Sequence, residues 1–529
     1  MTEGGADGLT ESDARVTPVD ADVAVTSDSR EMGKVAQHTA LNVLGLAVPF
    51  LVAFLLLPVI TRSLGPARFG MLGLAWAILE YLTLFDLGLN RATVKFASEA
   101  IAKGRNEVSQ IAIVSLVSQV GVALVVGLIV YLIAPMISSR AFSIPAELLD
   151  EGTGVFRVIG ISLPVVLCLT SLRGVLEAAQ RFGVSNAIKI PSSAASIVIP
   201  AICAPLGMRL DHILLIVLAA RVITCMVLAV AVRRNVPGFR WELPRDWGRL
   251  RTLFTFGGWV AVSSVVSPIL VYIDRFALAA IVGVASVAYY VGPYEAAVKL
   301  LLLPVSLSTA LFPALSGTIS SGRLTNAQPV FSASLRNVFL VLMPPLAVLA
   351  VFAPEILGLW LGPDYAREST TALRILALGV LINGLAQTPF TFLQAAGRPD
   401  LTAKFHIGEL ALHLPLTWVL VHRYGVAGAA TAWLVRVTVD TTLLLWANRR
   451  LLGLSAWDAV EGKAIVLTGS AFSLLAMLGV SRRYSEHSLI ATGALVLFAL
   501  LVFAALAWWR VLEEGERVAV GRVIRRRRA

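Results

Sequence analysis

Residues 111–134 read IAIVSLVSQVGVALVVGLIVYLIA and contain no Asp, Glu, Lys, Arg or His. At 1.5 Å per residue a helix of that length reaches about 36 Å, enough to cross a hydrocarbon layer about 30 Å thick. No water is available in such a layer to satisfy backbone polar groups, so a helix, which bonds its own, is the form this stretch must take. Similar stretches recur along the chain. By hydropathy they fall near 40–61, 69–89, 111–134, 154–178, 184–205, 212–232, 254–281, 287–315, 336–353, 369–394, 403–421, 426–447, 464–480 and 488–509. The expected fold is therefore an all-α polytopic membrane protein with about 14 transmembrane helices.

Composition supports this reading. Apolar residues make up 57% and charged residues 15% of the 529, with a mean hydropathy of +0.80, where a soluble domain carries roughly a quarter charged residues. Residues 1–33 are acidic and polar with few large apolar side chains, and read as a disordered tail without a secretory signal. Cys168, Cys203 and Cys225 lie in apolar stretches at spacings that match no metal site, so they read as small core residues without a redox role.

With the N-terminus inside, about 29 of the 44 Lys and Arg fall in the tails and even-numbered connections and about 10 in the odd-numbered ones, which places both termini in the cytoplasm. The densest clusters are Arg233, Arg234, Arg240, Arg245, Arg249 and Arg251, and then Arg525 to Arg528. Such juxtamembrane runs attract anionic lipid headgroups at about 1 kcal/mol per residue, which accounts for the net charge of +11 without nucleic acid.

A repeat lies beneath these spans. Pro49 recurs as Pro268, Leu64-Gly65 as Val282-Gly283, Ala134-Pro135 as Ala353-Pro354, Leu176-Glu177-Ala178-Ala179 as Leu393-Gln394-Ala395-Ala396, and Arg221 as Arg436, all in one register. Two six-helix units follow: an N-lobe over 34–232 and a C-lobe over 254–450, joined by a basic linker, 233–253. An even number of helices per unit relates the lobes by an axis along the membrane normal. Two further helices occupy 451–510, either lining the cavity or packing outside it, and 511–529 form a basic tail.

Thr61-Arg62-Ser63-Leu64-Gly65-Pro66-Ala67-Arg68-Phe69-Gly70, Asp86-Leu87-Gly88-Leu89, Ile273-Asp274-Arg275 and Val291-Gly292-Pro293-Tyr294 together resemble the polysaccharide-transporter branch, including the O-antigen-unit flippases, of the multidrug, oligosaccharidyl-lipid and polysaccharide exporter superfamily. The resemblance covers about residues 34 to 510, and is weaker to the lipid II flippase branch, whose first loop has no counterpart here. One departure is that Tyr289 and Tyr290 intervene between the Asp-Arg pair and the Gly-x-Tyr element. The resemblance implies two lobes around a central cavity, a lipid-linked oligosaccharide as substrate, alternating access driven by an ion gradient, and no enzymatic activity or cofactor.

Ionisable groups inside spanning helices are costly and are functional candidates by default. A lipid pyrophosphate needs cations along a hydrated path, and Arg, a planar fork that keeps its charge, suits phosphate best. Arg221, Arg275, Arg436 and Lys299 are the candidate phosphate-binding lining. Arg221 has no acid within a helical turn, whereas Arg173–Glu177, Glu295–Lys299 and Arg436–Asp440 stand four apart and can pair along one helix face. Arg173, near the cytoplasmic end, is expected to snorkel and pair. Asp274 and Arg275 point apart and need partners on other helices, or substrate. Asp86, Asp274, Glu295, Glu409 and Asp440 are candidate cavity or coupling acids, and His406 and His413, sharing a face with Glu409, are candidates for proton coupling. Their spacing matches no metal motif and a metal would need a further ligand elsewhere, so no metal is expected. Pro49 and Pro268 are candidate hinges.

The expected function is translocation of a polyprenyl-pyrophosphate-linked oligosaccharide across the bacterial inner membrane, in contact with membrane lipids and alongside polysaccharide polymerase and export machinery. The rivals are a drug or cation antiporter with an acidic cavity, and a membrane polymerase or ligase, which needs a catalytic outer loop longer than 135–153. No glycine-rich nucleotide-phosphate loop is present, which argues against ATP as the energy source.

Overall fold

The computed structural model describes residues 51–83, 88–103, 107–242, 269–308, 315, 327–460, 463–483, 488–512, 514 and 517. Asp86, Pro49 and Pro268 lie outside the described residues. The helices are α1 (Leu51–Leu82), α2 (Leu89–Ala102), α3 (Val108–Met136), α4 (Leu149–Ala178), α5 (Phe182–Cys203), α6 (Leu210–Asn235), α7 (269–281), α8 (Val284–Val298), α9 (302–308), α10 (Ala327–Val351), α11 (Ala353–Trp360), α12 (Pro363–Glu368), α13 (Thr370–Ala395), α14 (Pro399–Leu452), α15 (Ala456–Val460), α16 (Ala464–Arg483) and α17 (Leu489–Leu506). No strand occurs among the described residues, and nine of their helical stretches are long and apolar enough to cross a membrane.

Two long helical stretches each contain a reversal that separates two of the expected spans. Gly65 takes φ +71° within α1 and Gly425 takes φ +54° within α14, left-handed values at which a β-carbon is penalised. Ala53 and Leu57 from before Gly65 line the same cavity as Trp76 and Glu80 from after it, so α1 is two antiparallel arms. In α14 the backbone of Leu420 lies so close to Gly428 that a β-carbon there would collide with its carbonyl oxygen.

The left-handed positions carry the repeat into the backbone. Gly65 and Gly283, Gln180 and Gly397, Gly207 and Gly425, and Gly238 and Gly453 all have positive φ and stand 215 to 218 residues apart. Gln180 and Gly397 each close a helix whose last residues are the matched Leu-Glu-Ala-Ala and Leu-Gln-Ala-Ala segments, so equivalent sequence ends the helix in equivalent geometry.

Packing follows hydropathy. On α3, Leu124, Val125, Leu128, Ile129 and Leu132 form one outward apolar stripe, while Ala123, Gly127 and Ala134 are buried, with Gly127 pressed against Gly160 of α4. The first and second halves meet at one end of the molecule. There the Ser143 backbone donates to Ala279 O at 2.9 Å and accepts from Val284 N at 3.3 Å, and Gly70 packs so tightly that a β-carbon would collide with Val284 O. Arg62 donates to Leu359 O at 2.9 Å, Trp360 Nε1 donates to Phe54 O at 2.9 Å, and the Phe54 and Trp360 rings stack at 4.8 Å.

α16 and α17 pack outside the second half. Leu474, Leu478, Ala499 and Phe503 bury themselves on Met343 and Ala347 of α10 and on Phe352, and Arg482 pairs with Glu355 of α11 at 2.7 Å. None of their described residues lines the cavity between the halves.

Candidate functional site

A cavity of about 960 Å³ separates the two halves. It runs from Phe54 and Trp360, where the halves meet, along α1, α4, α5, α6, α7 and α8 to Gly88, Asn90 and Arg91. Its volume is at the upper end of the roughly 300–1,000 Å³ usual for small-molecule sites.

The cavity is cationic. Arg91, Arg173, Lys189, Arg221, Arg275 and Lys299 line it against two carboxylates, Glu80 and Glu295. α5 contributes Lys189, Ser192, Ser193 and Ser196 at helical spacing, so one polar face of an otherwise apolar helix is turned inward. Arg221 of α6 reaches Ser196 Oγ at 3.5 Å, and among the described residues no carboxylate stands within ion-pair distance of it. Opposite it, Glu295 of α8 holds Lys299 at 3.0 Å and Arg275 of α7 at 3.4 Å, and Arg275 lies between the Tyr272 and Tyr294 rings, 5.2 and 5.1 Å from their centroids. Arg275 is therefore fixed, while Arg221 retains donors for an incoming anion.

Three of the four predicted phosphate ligands, Arg221, Arg275 and Lys299, share this cavity. Arg436 does not. It lies inside the second half with Nη1 3.6 Å from Glu409, not paired along its own helix with Asp440 as the four-residue spacing suggested. Arg173, expected to snorkel, lines the cavity beside Lys189. Lys189 and Arg91 escaped sequence reasoning. For Lys189 the missed signal is the serine stripe one and two turns away on its own face.

Asp274 and Arg275 do face apart. While Arg275 enters the cavity, Asp274 is fully buried, accepts from Tyr290 OH at 2.9 Å and stands 3.4 Å from His413 Nε2, which in turn lies 3.3 Å (Nδ1) from Thr417 Oγ1. Tyr290, one of the two tyrosines that lengthen the family pattern, is thus the residue that holds Asp274. His406, Glu409 and Asp440 form a separate cluster whose ligating atoms all lie within 4.8 Å of one another. In the first half, Cys168 of α4 and Cys225 of α6 meet with Sγ atoms 2.9 Å apart, a pairing that a separation of 57 residues concealed.

The sequence matches the family model "Polysaccharide biosynthesis protein" over residues 35–319 and the model "MatE" over 260–419. A Shigella flexneri protein named "Putative O-antigen transporter" is 30% identical over 430 residues, 79% of this chain and 98% of that protein. A Haloferax volcanii protein, "Probable low-salt glycan biosynthesis flippase Agl15", is 24% identical over 48% of this chain and 54% of its own length. In fold, the chain is similar to the lipid II flippase MurJ in its inward closed conformation, with a TM-score of 0.67 at 14% identity over 88% of this chain and 99% of that one. It is also similar to an inward-facing multidrug MATE transporter, with a TM-score of 0.63 at 14% identity over 80% of this chain and 99% of that one. The chain is a multi-pass membrane protein that belongs to the polysaccharide biosynthesis protein family, the flippase branch of the multidrug, oligosaccharidyl-lipid and polysaccharide exporter superfamily.

Proposed function

We propose that the protein is a flippase, not an enzyme, that carries a polyprenyl-pyrophosphate-linked oligosaccharide from the cytoplasmic to the outer leaflet of the bacterial inner membrane for cell-surface polysaccharide synthesis. The observation that carries this reading is the excess of cations in a cavity between the two halves, six against two carboxylates. A pyrophosphate and a chain of hydroxyls cannot enter hydrocarbon, and such a cavity offers both charge and water. The drug or cation antiporter reading calls for the opposite polarity.

In this mechanism the termini and basic linkers face the cytoplasm, and the contacts around Phe54, Arg62 and Trp360 close the outer end. The phosphates engage Arg221 first, because no carboxylate among the described residues pairs with it, and then compete with Glu295 for Arg275 and Lys299. Neutralising that network weakens what holds α7 to α8, and the halves rock outward while the polyprenyl tail stays in lipid. An ion gradient supplies the bias: one charge moved through 100 mV contributes about 2.3 kcal/mol, roughly a fiftyfold shift between the two states.

The test is reconstitution in liposomes with a fluorescent polyprenyl-pyrophosphate sugar, scoring its passage between leaflets with and without an imposed gradient. Passage above protein-free liposomes, faster with the gradient and lost in Arg221→Gln, is the expected result. Passage that survives neutral replacement of Arg221, Arg275 and Lys299 together refutes the cationic-cavity mechanism.

A further inference from the structure

The two arms of α14 bring together donors that the sequence keeps apart. His406 and Glu409 share a face of the first arm. The reversal at Gly425 lays the second arm alongside it, so that Asp440 supplies the third donor. We propose that His406, Glu409 and Asp440 form a binding site for one divalent transition-metal ion of the zinc class.

The charge inventory of the cluster supports an ion. Glu409 is only 3% exposed, and among the described residues neither of its oxygens accepts a hydrogen bond and Asp440 Oδ1 has no hydrogen-bond partner. Two carboxylates so placed are costly unless something neutralises them, and the arginine beside them, Arg436, stands 3.6 Å from Glu409 and balances a single charge. A divalent ion between the three donors offsets both carboxylates and frees Arg436 from balancing them alone. Arg436 then acts as the outer partner that orients a ligating carboxylate.

The geometry is compatible. Donors about 2.0–2.2 Å from a tetrahedral zinc lie roughly 3.4 Å from one another, and the observed atoms, all within 4.8 Å, reach that spacing by small side-chain rotations. An imidazole with only two carboxylates favours a zinc-class ion over calcium or magnesium, which prefer six or more oxygens, and leaves a fourth position for water. His406 and Asp440 are both partly exposed, and the α14 terminus one to two turns before His406 carries the exposed Arg398–Asp400–Lys404 ion pairs, so an ion has a polar route in. Once bound, it ties the two arms of α14 together across the Gly425 reversal.

The test is direct binding and does not depend on transport. Tag-free protein in detergent is stripped with chelator, incubated with Zn²⁺ or Co²⁺, desalted, and assayed for metal per chain. One ion per chain is expected, with visible absorption for bound Co²⁺ and a thermal midpoint raised by Zn²⁺. His406→Ala and Asp440→Asn should each lose the ion and the thermal shift, whereas Arg398→Ala should keep both. Should the variants fail to fold, protection of His406 from diethyl pyrocarbonate by Zn²⁺ in the unmodified protein gives the same answer. Wild-type protein that retains no metal, as a carboxylate pair sharing one proton would behave, overturns the proposal. So does retention unchanged in both site variants.

Discussion

Replacing Trp360 with Ala should open the end of the molecule at which the two halves meet. The Trp360 side chain spans that end in two ways: its ring stacks on Phe54 at 4.8 Å with planes 23° apart, and its Nε1 donates to Phe54 O at 2.9 Å. A stacked aromatic pair contributes about 0.5–1.5 kcal/mol and a hydrogen bond about the same, so the substitution removes about 1–3 kcal/mol from the closed state. Phe54 is 43% exposed, which favours the lower part of that range. At roughly 1.4 kcal/mol per factor of ten, the open-to-closed ratio should rise about 5- to 30-fold. The backbone bonds of Ser143 to Ala279 and Val284, and that of Arg62 to Leu359, remain, so the halves separate in a fraction of molecules without dissociating. Spin labels at the exposed positions Ser139 and Glu368, on opposite halves of that end, report the ratio by pulsed dipolar spectroscopy. Trp360→Ala should show a new longer-distance population. Trp360→Phe, which can keep the stack and loses the N–H donor, should show a smaller one. An unchanged distance distribution for Trp360→Ala refutes the assignment of these contacts as the closing element.

Three further outcomes follow from other contacts. Gly70→Ala drives a methyl into Val284 O, so α1 and α8 must separate; about 1–3 kcal/mol of destabilisation is expected, and a wild-type midpoint in a thermal unfolding assay would contradict the close approach. Arg221→Gln and Arg275→Gln should differ in kind. The first loses one long bond to Ser196 and leaves the thermal midpoint almost unchanged while abolishing transport, whereas the second strips Glu295 of a partner and destabilises by about 1–3 kcal/mol; equal midpoints for the two variants would show that Arg275 is no more anchored than Arg221. Copper-phenanthroline should join Cys168 to Cys225 and leave Cys203 as the one titratable thiol, and three thiols after oxidation would mean that α4 and α6 do not meet at these residues.

Hydropathy made the scaffold legible because burial in lipid imposes a simple rule on long stretches. The reversals at Gly65 and Gly425 fell in gaps between apolar runs, and most of the long described helices start and stop close to the predicted spans, whereas α10 begins at Ala327, well before 336, and the short helices α2, α11, α12 and α15 lie where no span was expected. The site was legible in part: Arg221, Arg275 and Lys299 line the cavity, but Arg436, the counterpart of Arg221 in the repeat, is held by Glu409 on the other arm of α14. Helix-face spacing predicts partners within one helix, and it succeeded for Glu295 with Lys299. It says nothing of partners across helices, and that is why the Asp274–His413 contact, the Cys168–Cys225 contact and the third donor of the His406 cluster were hidden.

The fate of Arg221 and Arg436 shows how one repeat can serve two ends. At a spacing of 217 residues, within the range of the left-handed backbone positions, Lys189, Ser192 and Ser196 on α5 correspond to His406, Glu409 and His413 on α14. In the first half, among the described residues, the arginine bonds the Ser196 hydroxyl and pairs with no carboxylate, so its charge remains available in the cavity. In the second half the counterpart of Ser192 is Glu409, which draws the arginine into the interior and, with Asp440, leaves an excess of negative charge beside a histidine. Removing both acids, Glu409→Ser after the first-half residue together with Asp440→Asn, should therefore release the cation at position 436. With Arg436→Lys added as a reporter for amine labelling, that position should react faster in the acid-free background than in protein that keeps both acids. Equal labelling in the two backgrounds would mean that packing, not charge, decides which way the second arginine faces.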